Sequence, residues 1–484
     1  MTNINIPETD RVAHTNPTFS NIKEWLGIPY ATADRFQSPE MVDFNTNLDY
    51  SKSGPASLQP FDAATLQSDK GLSENCLNLS IWAPKKIEKP LPVVVYYHGG
   101  GFIYGSNSQI TSVPSGLAAS GRVIGVSVNF RLGALGWLSL SQYGGQFENA
   151  TNLGLQDMIM SLKWIQKYIS SFGGDPDQVT LTGHSGGAFM SAALLAVPSA
   201  KGLFKRMALF SGGTTRIIPT WWAEQYADTV INKLGVQDNL SKLLTIDPNL
   251  INKVAREVIA PDMGERVTVD NIQLGIVDDH DEPNGIIAST PTEAIAKGSC
   301  SDIDIIFSNT TNEFDWWVKN DPTFNLGSYE NVIKHFAKFN RLPISRVRSM
   351  IDFYKKDRTP AETRAALFTD YVFALPNIRD AQLHAQKGGR SYLLSVGPAD
   401  NAPAVHGTDM YAIVGQRQPN ASQDQIKRDT TETNIVLDFA CQNYDKLWQP
   451  ISDKLVVKEL GHRPYNAEIY YKQIEKLFAG IPTT

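Results

Sequence analysis

Hydrophobic runs of strand length recur along the chain, separated by stretches in which apolar residues repeat at helical spacing. The run at 91–98 (LPVVVYYH) is almost continuously apolar, and residues 153–172 carry the helical repeat. Strands alternating with helices indicate βαβ units in a mostly parallel sheet, and unbroken apolar strands indicate that both faces are covered. The sequence therefore predicts an α/β fold with helices flanking a central sheet. The other predicted strands are 122–130, 179–182, 207–210, 303–307 and 392–396.

Two regions interrupt this alternation and are predicted to be helical insertions. They span about residues 221–297 and 329–386, between the late strands, while the chain up to about Trp82 has the pattern of turns and short strands. Ligands of open α/β sheets bind beyond the carboxyl ends of the strands, so insertions there would wall the substrate pocket. We expect the whole chain, 1–484, to form a single domain.

Composition and charge argue against several classes of partner. The 484 residues are 42% hydrophobic and carry a net charge of −6, so nothing points to nucleic acid or an anionic membrane surface. No apolar stretch approaches the about 18 residues that span a bilayer, and residues 1–10 lack the pattern of a signal peptide. Three widely spaced cysteines, Cys76, Cys300 and Cys441, suggest neither a metal cluster nor a disulfide framework. We expect a cytoplasmic protein, with monomer or homodimer left open.

A serine stands between a predicted strand and a predicted helix, in the sequence GHSGG at 183–187. A strand, a sharp turn and a helix with serine at the tip form a nucleophile elbow. The small residues two before and two after the serine let the strand and the helix approach each other. The pentapeptide alone is frequent by chance. Its interpretation therefore depends on the partners of Ser185 elsewhere in the chain.

A serine nucleophile needs a base, and the base needs an orienting acid. On a hydrolase sheet these follow in the order serine, acid, histidine. Glu313 and Asp315 both stand in the loop after the strand 303–307, and spacing alone does not choose between them. His406 stands in the loop after 392–396, which is predicted to be the final strand.

The other histidines are eliminated by position. His335 and His384 lie in helix-like stretches, and His462 lies in a turn beyond the last predicted strand. The remaining four precede the acid candidates and would break the order: His14, His98, His184 and His280.

A glycine-rich loop, HGGGF at 98–102, directly follows the apolar strand at 91–98. Its backbone N–H groups can face a developing oxyanion, and each such donor is typically worth about 3–4 kcal/mol. A phosphate-binding loop is the alternative, but no G-K-[ST] follows and no helix begins at once. Gly186, next to the serine, would supply a further N–H group.

With these features in order, the chain resembles the type-B carboxylesterase/lipase family, the α/β-hydrolases that include bacterial para-nitrobenzyl esterases, mammalian carboxylesterases and cholinesterases. The resemblance is dense from Gly27 to about Gly213 and thinner beyond. The matching segments are GIPYA at 27–31 with RF at 35–36, SENCLNL at 73–79 with WAP at 82–84, HGGGFIYGS at 98–106, NFRLGALGWL at 129–138, NLGL at 152–155 with Asp157, and FGGDP at 172–176.

The resemblance implies an α/β-hydrolase fold and assigns roles to individual residues. Ser185 is implied as nucleophile, Glu313 rather than Asp315 as acid, and His406, within AVHGTD at 404–409, as base. The other implied assignments are an oxyanion hole of Gly100, Gly101 and Gly186, a serine beside the triad at Ser211, and structural ion pairs Arg35–Glu74 and Arg131–Asp157.

The chain departs from the family pattern at the elbow. The usual sequence is G-E-S-A-G, and here His184 and Gly186 replace the glutamate and the alanine. The catalytic atoms are kept, but the electrostatics beside the triad change. The partner expected for Cys76 falls near Ser57, so that family disulfide is predicted to be absent.

We therefore hypothesise ester hydrolysis through an acyl-enzyme on Ser185, acting on a small-molecule ester without a metal or an organic cofactor. Activity is expected to rise as His406 becomes neutral, with a reference for histidine near about pH 6.5. One alternative is the same triad acting on amides or carbamates or as an acyltransferase. Another is a catalytically inactive binding module. Four tryptophans near the insertions either line an acyl or alcohol pocket or belong to the core: Trp221, Trp222, Trp316 and Trp317.

Overall fold

A ten-stranded sheet forms the centre of the fold in a computed structural model that describes residues 9–259, 274–462 and 465–482. The strands are β1 (His14–Thr15), β2 (Ile22–Pro29), β3 (Asn78–Pro84), β4 (Leu91–Tyr97), β5 (Ile124–Val128), β6 (Gly174–His184), β7 (Arg206–Phe210), β8 (Asp304–Thr310), β9 (Ser391–Val396) and β10 (Val457–Leu460).

The order of strands across this sheet is β1-β2-β3-β5-β4-β6-β7-β8-β9-β10. Strands β4 to β10 are mutually parallel, and β1 to β3 add an antiparallel edge. Because successive side chains of a strand point to opposite faces, Val93 and Val95 pack in one hydrophobic cluster and Val94 and Tyr96 in another. Both faces are therefore covered, as the apolar run at 91–98 predicts.

Helices flank the sheet and fill both predicted insertions. The first insertion contains α5 to α7 and the second contains α9 to α12; residues 260–273 of the first lie outside the described residues. No described helix has the length and hydropathy to cross a membrane. The helices are α1 (Ser115–Ala119), α2 (Gly133–Trp137), α3 (Leu153–Tyr168), α4 (Gly186–Ala193), α5 (Thr220–Leu234), α6 (Pro248–Val258), α7 (Pro291–Lys297), α8 (Asp315–Asn320), α9 (Tyr329–Asn340), α10 (Ile344–Tyr354), α11 (Pro360–Phe368), α12 (Leu375–Gln386), α13 (Met410–Ile413), α14 (Gln423–Ala440) and α15 (Ala467–Leu477).

All six predicted strands are present, but the prediction that 392–396 is the final one is wrong. Strand β10 follows it and pairs with β9 in parallel. Its sequence, VKEL, places two charged residues in the middle of a short strand at the edge of the sheet. Edge strands tolerate such charges because one side is solvated, and this removes the hydrophobic pattern from which a strand is predicted. The single-domain organisation stays a prediction.

Two ion pairs join distant segments, as the family resemblance implies. The Arg131 side chain is bidentate on Asp157, with Nη2 2.7 Å from Oδ1 and Nε 2.9 Å from Oδ2. The Arg131 backbone N–H also donates to Asp157 Oδ2 at 3.0 Å. Arg35 and Glu74 form the second pair at 2.5 Å. The three cysteines of the chain are free thiols.

Replacing Asp157 by Asn is expected to destabilise the protein by about 3–5 kcal/mol, because it leaves the buried Arg131 guanidinium without a counter-charge. Urea unfolding followed by tryptophan fluorescence measures the loss. The matched control is Asp43→Asn, which breaks the exposed pair with Lys167 and is expected to leave the midpoint unchanged. Equal unfolding midpoints for the two variants would show that the buried Arg131–Asp157 pair does not stabilise the protein more than an exposed pair does.

Candidate active site

Ser185 lies at a sharp turn between β6 and α4. Its backbone has φ 54° and ψ −121°, a region that residues with a side chain adopt only under strain. The Ser185 N–H donates to the carbonyl of Phe210, the last residue of β7, at 2.9 Å. The serine is held to the carboxyl edge of the sheet, which confirms the predicted strand, turn and helix.

The glycines on either side of the turn are required by close backbone contacts. A Cβ on Gly183 would lie 2.6 Å from the carbonyl carbon of Gly187, and a Cβ on Gly187 would lie 2.0 Å from the carbonyl oxygen of Tyr97. Real side chains do not fit at such distances. Strand β6, helix α4 and the end of β4 therefore meet at these two positions. The chain between them must make a sharp turn, and Ser185 lies at its tip.

The structure brings Ser185, His406 and Glu313 into one chain of hydrogen bonds. Ser185 Oγ lies 2.9 Å from His406 Nε2, and His406 Nδ1 lies 2.6 Å from Glu313 Oε2. Glu313 is fully buried, whereas Ser185 retains 7% exposure. This is the geometry of a nucleophile, a base and an orienting acid.

Pairing between two loops sets the acid against the histidine. The loops that leave β8 and β9 form a parallel bridge between Asn312 and Val405. The His406 N–H then donates to the Glu313 carbonyl at 3.2 Å. The two side chains are thus placed by backbone contacts one residue beyond the bridge.

Glu313 accepts hydrogen bonds at both carboxyl oxygens. Oε1 accepts from the Thr310 backbone N–H and from the Ser211 hydroxyl, each at 2.7 Å, which leaves Oε2 for His406. These donors offset the cost of burying an ionised carboxylate. Ser211 lies beside the triad, where the resemblance places it.

Asp315, the other candidate acid, points elsewhere. Its Oδ2 accepts from the Asn312 side chain at 2.9 Å, and burial raises its pKa. It lines a separate cavity of about 570 Å³, together with His462. This cavity is larger than the one at Ser185, but neither Ser185 nor His406 lines it.

The glycine-rich loop faces the elbow. Gly100 and Gly101 have φ of +109° and +60°, and a Cβ on Gly100 would meet the Tyr104 carbonyl oxygen at 1.8 Å. A Cβ on Gly186 would lie 3.2 Å from the Gly101 nitrogen. The backbones of Gly101 and Gly186 therefore meet next to Ser185, where the sequence predicts an oxyanion hole.

A cavity of about 410 Å³ contains Ser185 and His406. Trp316 and Trp317, at the start of α8, form part of its wall, while Trp222 is a core residue and Trp221 is 56% exposed. Of the two alternatives, the pocket therefore holds for Trp316 and Trp317 and the core for Trp222, whereas neither holds for Trp221. Apart from its histidines, the described lining contains no ionisable residue other than tyrosine. The other large side chains in the wall are Phe61, Tyr96, Ile103, Tyr104 and Met410.

Sequence reasoning missed two buried carboxyl groups behind the triad. No carboxyl oxygen of Asp409 or Glu432 has a hydrogen-bond partner within the described ranges. Burial, and to a smaller extent the charge of Glu313, raises the pKa of Asp409 to about 7. Burial and the neighbouring Asp409 raise the pKa of Glu432 well above its usual value. Asp409 falls in the AVHGTD motif and could have been found there. Glu432, on α14, has no motif.

His184 lies within this buried group. Its Nε2 is 4.0 Å from Asp409 Oδ1. Burial, and to a smaller extent the neighbouring His406, lowers the pKa of His184 well below its usual value. Over the described ranges, no three His, Cys, Asp or Glu side chains are grouped as metal ligands.

A serine, histidine and glutamate at the carboxyl edge of a mostly parallel sheet define a serine hydrolase of the α/β-hydrolase class. Residues 10–441 match the Carboxylesterase family, and the chain belongs to this family. It is a carboxylic ester hydrolase of type B.

Relatives of known activity and structure support this membership. The para-nitrobenzyl esterase of Bacillus subtilis is 32% identical over 377 residues, covering 76% of this chain and 74% of that protein. A pyrethroid hydrolase of Rattus norvegicus is 27% identical over 83% of this chain and 74% of its own. The crystal structure of a carboxylesterase from Geobacillus stearothermophilus superposes with a TM-score of 0.80 at 25% identity, covering 95% of this chain and 97% of that one.

Replacing Asp409 by Asn is expected to stabilise the protein more at pH 8 than at pH 5. The folded-state pKa of about 7 lies above the usual 3.8, so the folded protein keeps a proton that the unfolded chain has lost. The carboxyl therefore lowers stability as pH rises between these values. At about 1.4 kcal/mol per pH unit between the two pKa values, D409N can exceed the wild type in free energy of unfolding by at most about 4 kcal/mol.

Urea unfolding of both proteins at the two pH values measures this difference. The control is Asp238→Asn, at an exposed carboxylate, which is expected to change the free energy of unfolding by less than about 0.5 kcal/mol. If the free energies of unfolding of wild type and D409N differed by the same amount at both pH values, Asp409 would not be a buried carboxyl that is neutral in the acid range.

Proposed function

We propose that this enzyme hydrolyses esters of small, uncharged molecules through an acyl-enzyme on Ser185. The observation that carries the proposal is the chain of hydrogen bonds from Ser185 through His406 to Glu313, placed in a cavity without carboxylate, ammonium or guanidinium side chains among its described lining.

In the first half-reaction His406 Nε2 accepts the Ser185 hydroxyl proton while Oγ attacks the ester carbonyl. Glu313 stays ionised, accepts from Nδ1–H and stabilises the imidazolium. The imidazolium then protonates the leaving alcohol, and the acyl group remains on Oγ. In the second half-reaction His406 activates water, which releases the carboxylic acid and restores the serine.

The oxyanion of each tetrahedral intermediate is assigned to the backbone N–H groups of Gly100, Gly101 and Gly186. The left-handed backbone at Gly100 and Gly101 and the approach of Gly186 to the Gly101 nitrogen support this assignment. These donors are fixed before substrate binds, so little reorganisation is needed when charge develops.

The lining of the cavity supports neutral substrates with apolar or aromatic groups. Trp316 and Trp317 form one aromatic pair, with ring centroids 5.2 Å apart, and Phe61 and Tyr104 form another at 5.1 Å. Such rings bind flat apolar groups well, whereas a charged group would lose hydration without gaining a counter-charge. The complete triad argues against an inactive binding module.

The three free cysteines extend the proposal to a reducing compartment such as the cytoplasm. Cys76 is buried, and burial raises its pKa to about 12. A serine, Ser57, stands near the position where its family partner would fall, and its Oγ accepts from the Leu132 N–H at 3.1 Å.

Ser185→Ala is expected to abolish labelling by a fluorophosphonate probe and to lower kcat by about 10⁴–10⁶-fold. Intact-mass spectrometry detects the adduct, and p-nitrophenyl acetate hydrolysis gives the rate. An S185A protein that still carries the label or still turns over the ester would contradict the proposal.

Glu313→Gln is expected to lower kcat by about 10⁴-fold, because an amide no longer stabilises the imidazolium or fixes its tautomer. Asp315→Asn is the matched control two residues along, and it should retain the wild-type rate. Loss of activity in D315N with retention in E313Q would reverse the assignment of the acid.

Neutral p-nitrophenyl esters are expected to be hydrolysed far faster than the matching anilides. A carboxylate at the end of the acyl chain should lower kcat/KM by about ten-fold or more. Initial rates over a panel of acyl chain lengths, charged and uncharged, measure both effects. Equal rates for ester and anilide would favour an amide- or carbamate-cleaving enzyme, and partition to added alcohols would favour an acyltransferase.

A further inference from the structure

His184 is packed tightly against His406 and the glycine loop. The centroids of the two imidazole rings are 4.7 Å apart, and their planes are inclined by 46°. A Cβ on Gly99 would lie 2.8 Å from the His184 carbonyl oxygen and 3.3 Å from its Nδ1. The His184 side chain, 4% exposed, is therefore packed between the glycine loop and His406.

Two further rings lie against His406. Trp317 of α8 has its ring centroid 5.2 Å from that of His406, and Phe373 lies at 5.5 Å. Phe373 belongs to a π-helical turn, Thr369–Ala374, of the kind often found at functional sites. Together with His184, these rings restrict the imidazole to the orientation in which it bonds Ser185 and Glu313.

His184 contributes packing without charge or a hydrogen bond at Nε2. This atom has no hydrogen-bond partner in the part of the chain that the structure describes. Its distance of 4.0 Å from Asp409 Oδ1 exceeds a hydrogen bond. Burial and the neighbouring imidazole both disfavour a proton on His184, as its lowered pKa indicates.

In the acid range, the carboxyl groups near His184 and His406 other than Glu313 are held toward their neutral forms. Burial raises the pKa of Asp409 to about 7 and the pKa of Glu432 well above its usual value, which favours the neutral form of both carboxyls in the acid range. Arg428 is engaged by Asp429, with Nη2 2.7 Å from Oδ1. Other titratable groups in the same environment include Glu313, which bonds His406, and Tyr96, whose pKa burial and Asp409 raise. His98 of the glycine loop lines the same cavity, and burial lowers its pKa to about 4.

We propose that His184 is a positioning residue for His406. Its uncharged ring holds the catalytic imidazole in place and, unlike a carboxylate at this position, adds no negative charge beside the imidazolium that Glu313 stabilises. The proposal rests on the proposed function of the triad and adds a role for the residue before the nucleophile. A carboxylate at position 184 would favour the protonated imidazole and delay activation as pH rises.

Three substitutions at this position separate packing from charge. His184→Ala removes the ring, His184→Phe keeps a ring without nitrogen, and His184→Glu introduces a carboxylate. Each is assayed for kcat and KM on p-nitrophenyl acetate from pH 5 to 9, with thermal melting and fluorophosphonate labelling of Ser185 to measure the folded, competent fraction. His280→Gln, at an imidazole that is 42% exposed, is the control for loss of a titratable histidine.

H184A is expected to lower kcat by about ten-fold with little change in KM, because the base is less well placed. H184F should restore most of kcat and keep the wild-type acid limb of the pH–rate profile. H184E should move the acid limb up by about 1 pH unit, since a carboxylate within about 4–6 Å stabilises the imidazolium. H280Q should match the wild type.

Each variant can overturn the proposal. Wild-type kcat in H184A would show that the ring does not position His406. A displaced acid limb in H184F would show that His184 itself titrates, and an unmoved limb in H184E would show that its neutrality has no effect. If H184A does not fold, H184F and H184E still decide the outcome. Failure of the triad itself is distinguishable, because wild type would then give no adduct on Ser185.

Discussion

The site depends on one steric constraint, the approach of strand β6, helix α4 and the end of β4 at two glycines. A Cβ at Gly187 would fall 2.0 Å from the Tyr97 carbonyl oxygen, and one at Gly183 would fall 2.6 Å from the Gly187 carbonyl carbon. With both positions closed to side chains, the chain turns within a single residue, and Ser185 takes the strained conformation. The packing of the sheet supplies the energy that holds this conformation. The conformation of Ser185, the proposed nucleophile, is therefore a consequence of how the strand and helix pack, and it cannot relax without separating them.

The same sheet sets the histidine and the acid against the serine. Strands β8 and β9 are parallel neighbours, so the loops that leave their carboxyl ends lie side by side. The Asn312–Val405 bridge extends that pairing by one step and places Glu313 and His406 just beyond it. Because backbone hydrogen bonds define both loops, the separation of the two side chains does not depend on flexible contacts. The fold thus presents three chemical groups at one edge from three separate segments of the chain.

Most of this arrangement could be predicted from the sequence, and the predictions that failed did so for physical reasons. Ser185 and His406 were predictable because the order of strands and the glycine positions are local patterns. Spacing did not decide between Glu313 and Asp315, because two residues in one loop differ in direction only once the loop is paired with its neighbour; the family resemblance was needed to choose Glu313. Strand β10 was missed since an edge strand need not be apolar. Glu432 was missed because a single buried carboxyl on a long helix leaves no periodic signal, and its burial depends on contacts far along the chain.

Burial of charge is the remaining constraint on the site, and it explains why the residue before the nucleophile matters. The buried carboxyl group of Glu313 has hydrogen bonds to Thr310, Ser211 and His406, which offset the cost of its burial. Asp409 and Glu432 have no such donors within the described residues, so the folded protein keeps them neutral until the pH rises. A second ionised group next to His406 would compete with Glu313 for the imidazolium. With a neutral histidine at position 184, the residue before the serine adds no charge of its own, and in the proposed mechanism the hydrogen-bonded Glu313 stabilises the charge that forms and disappears in each half-reaction.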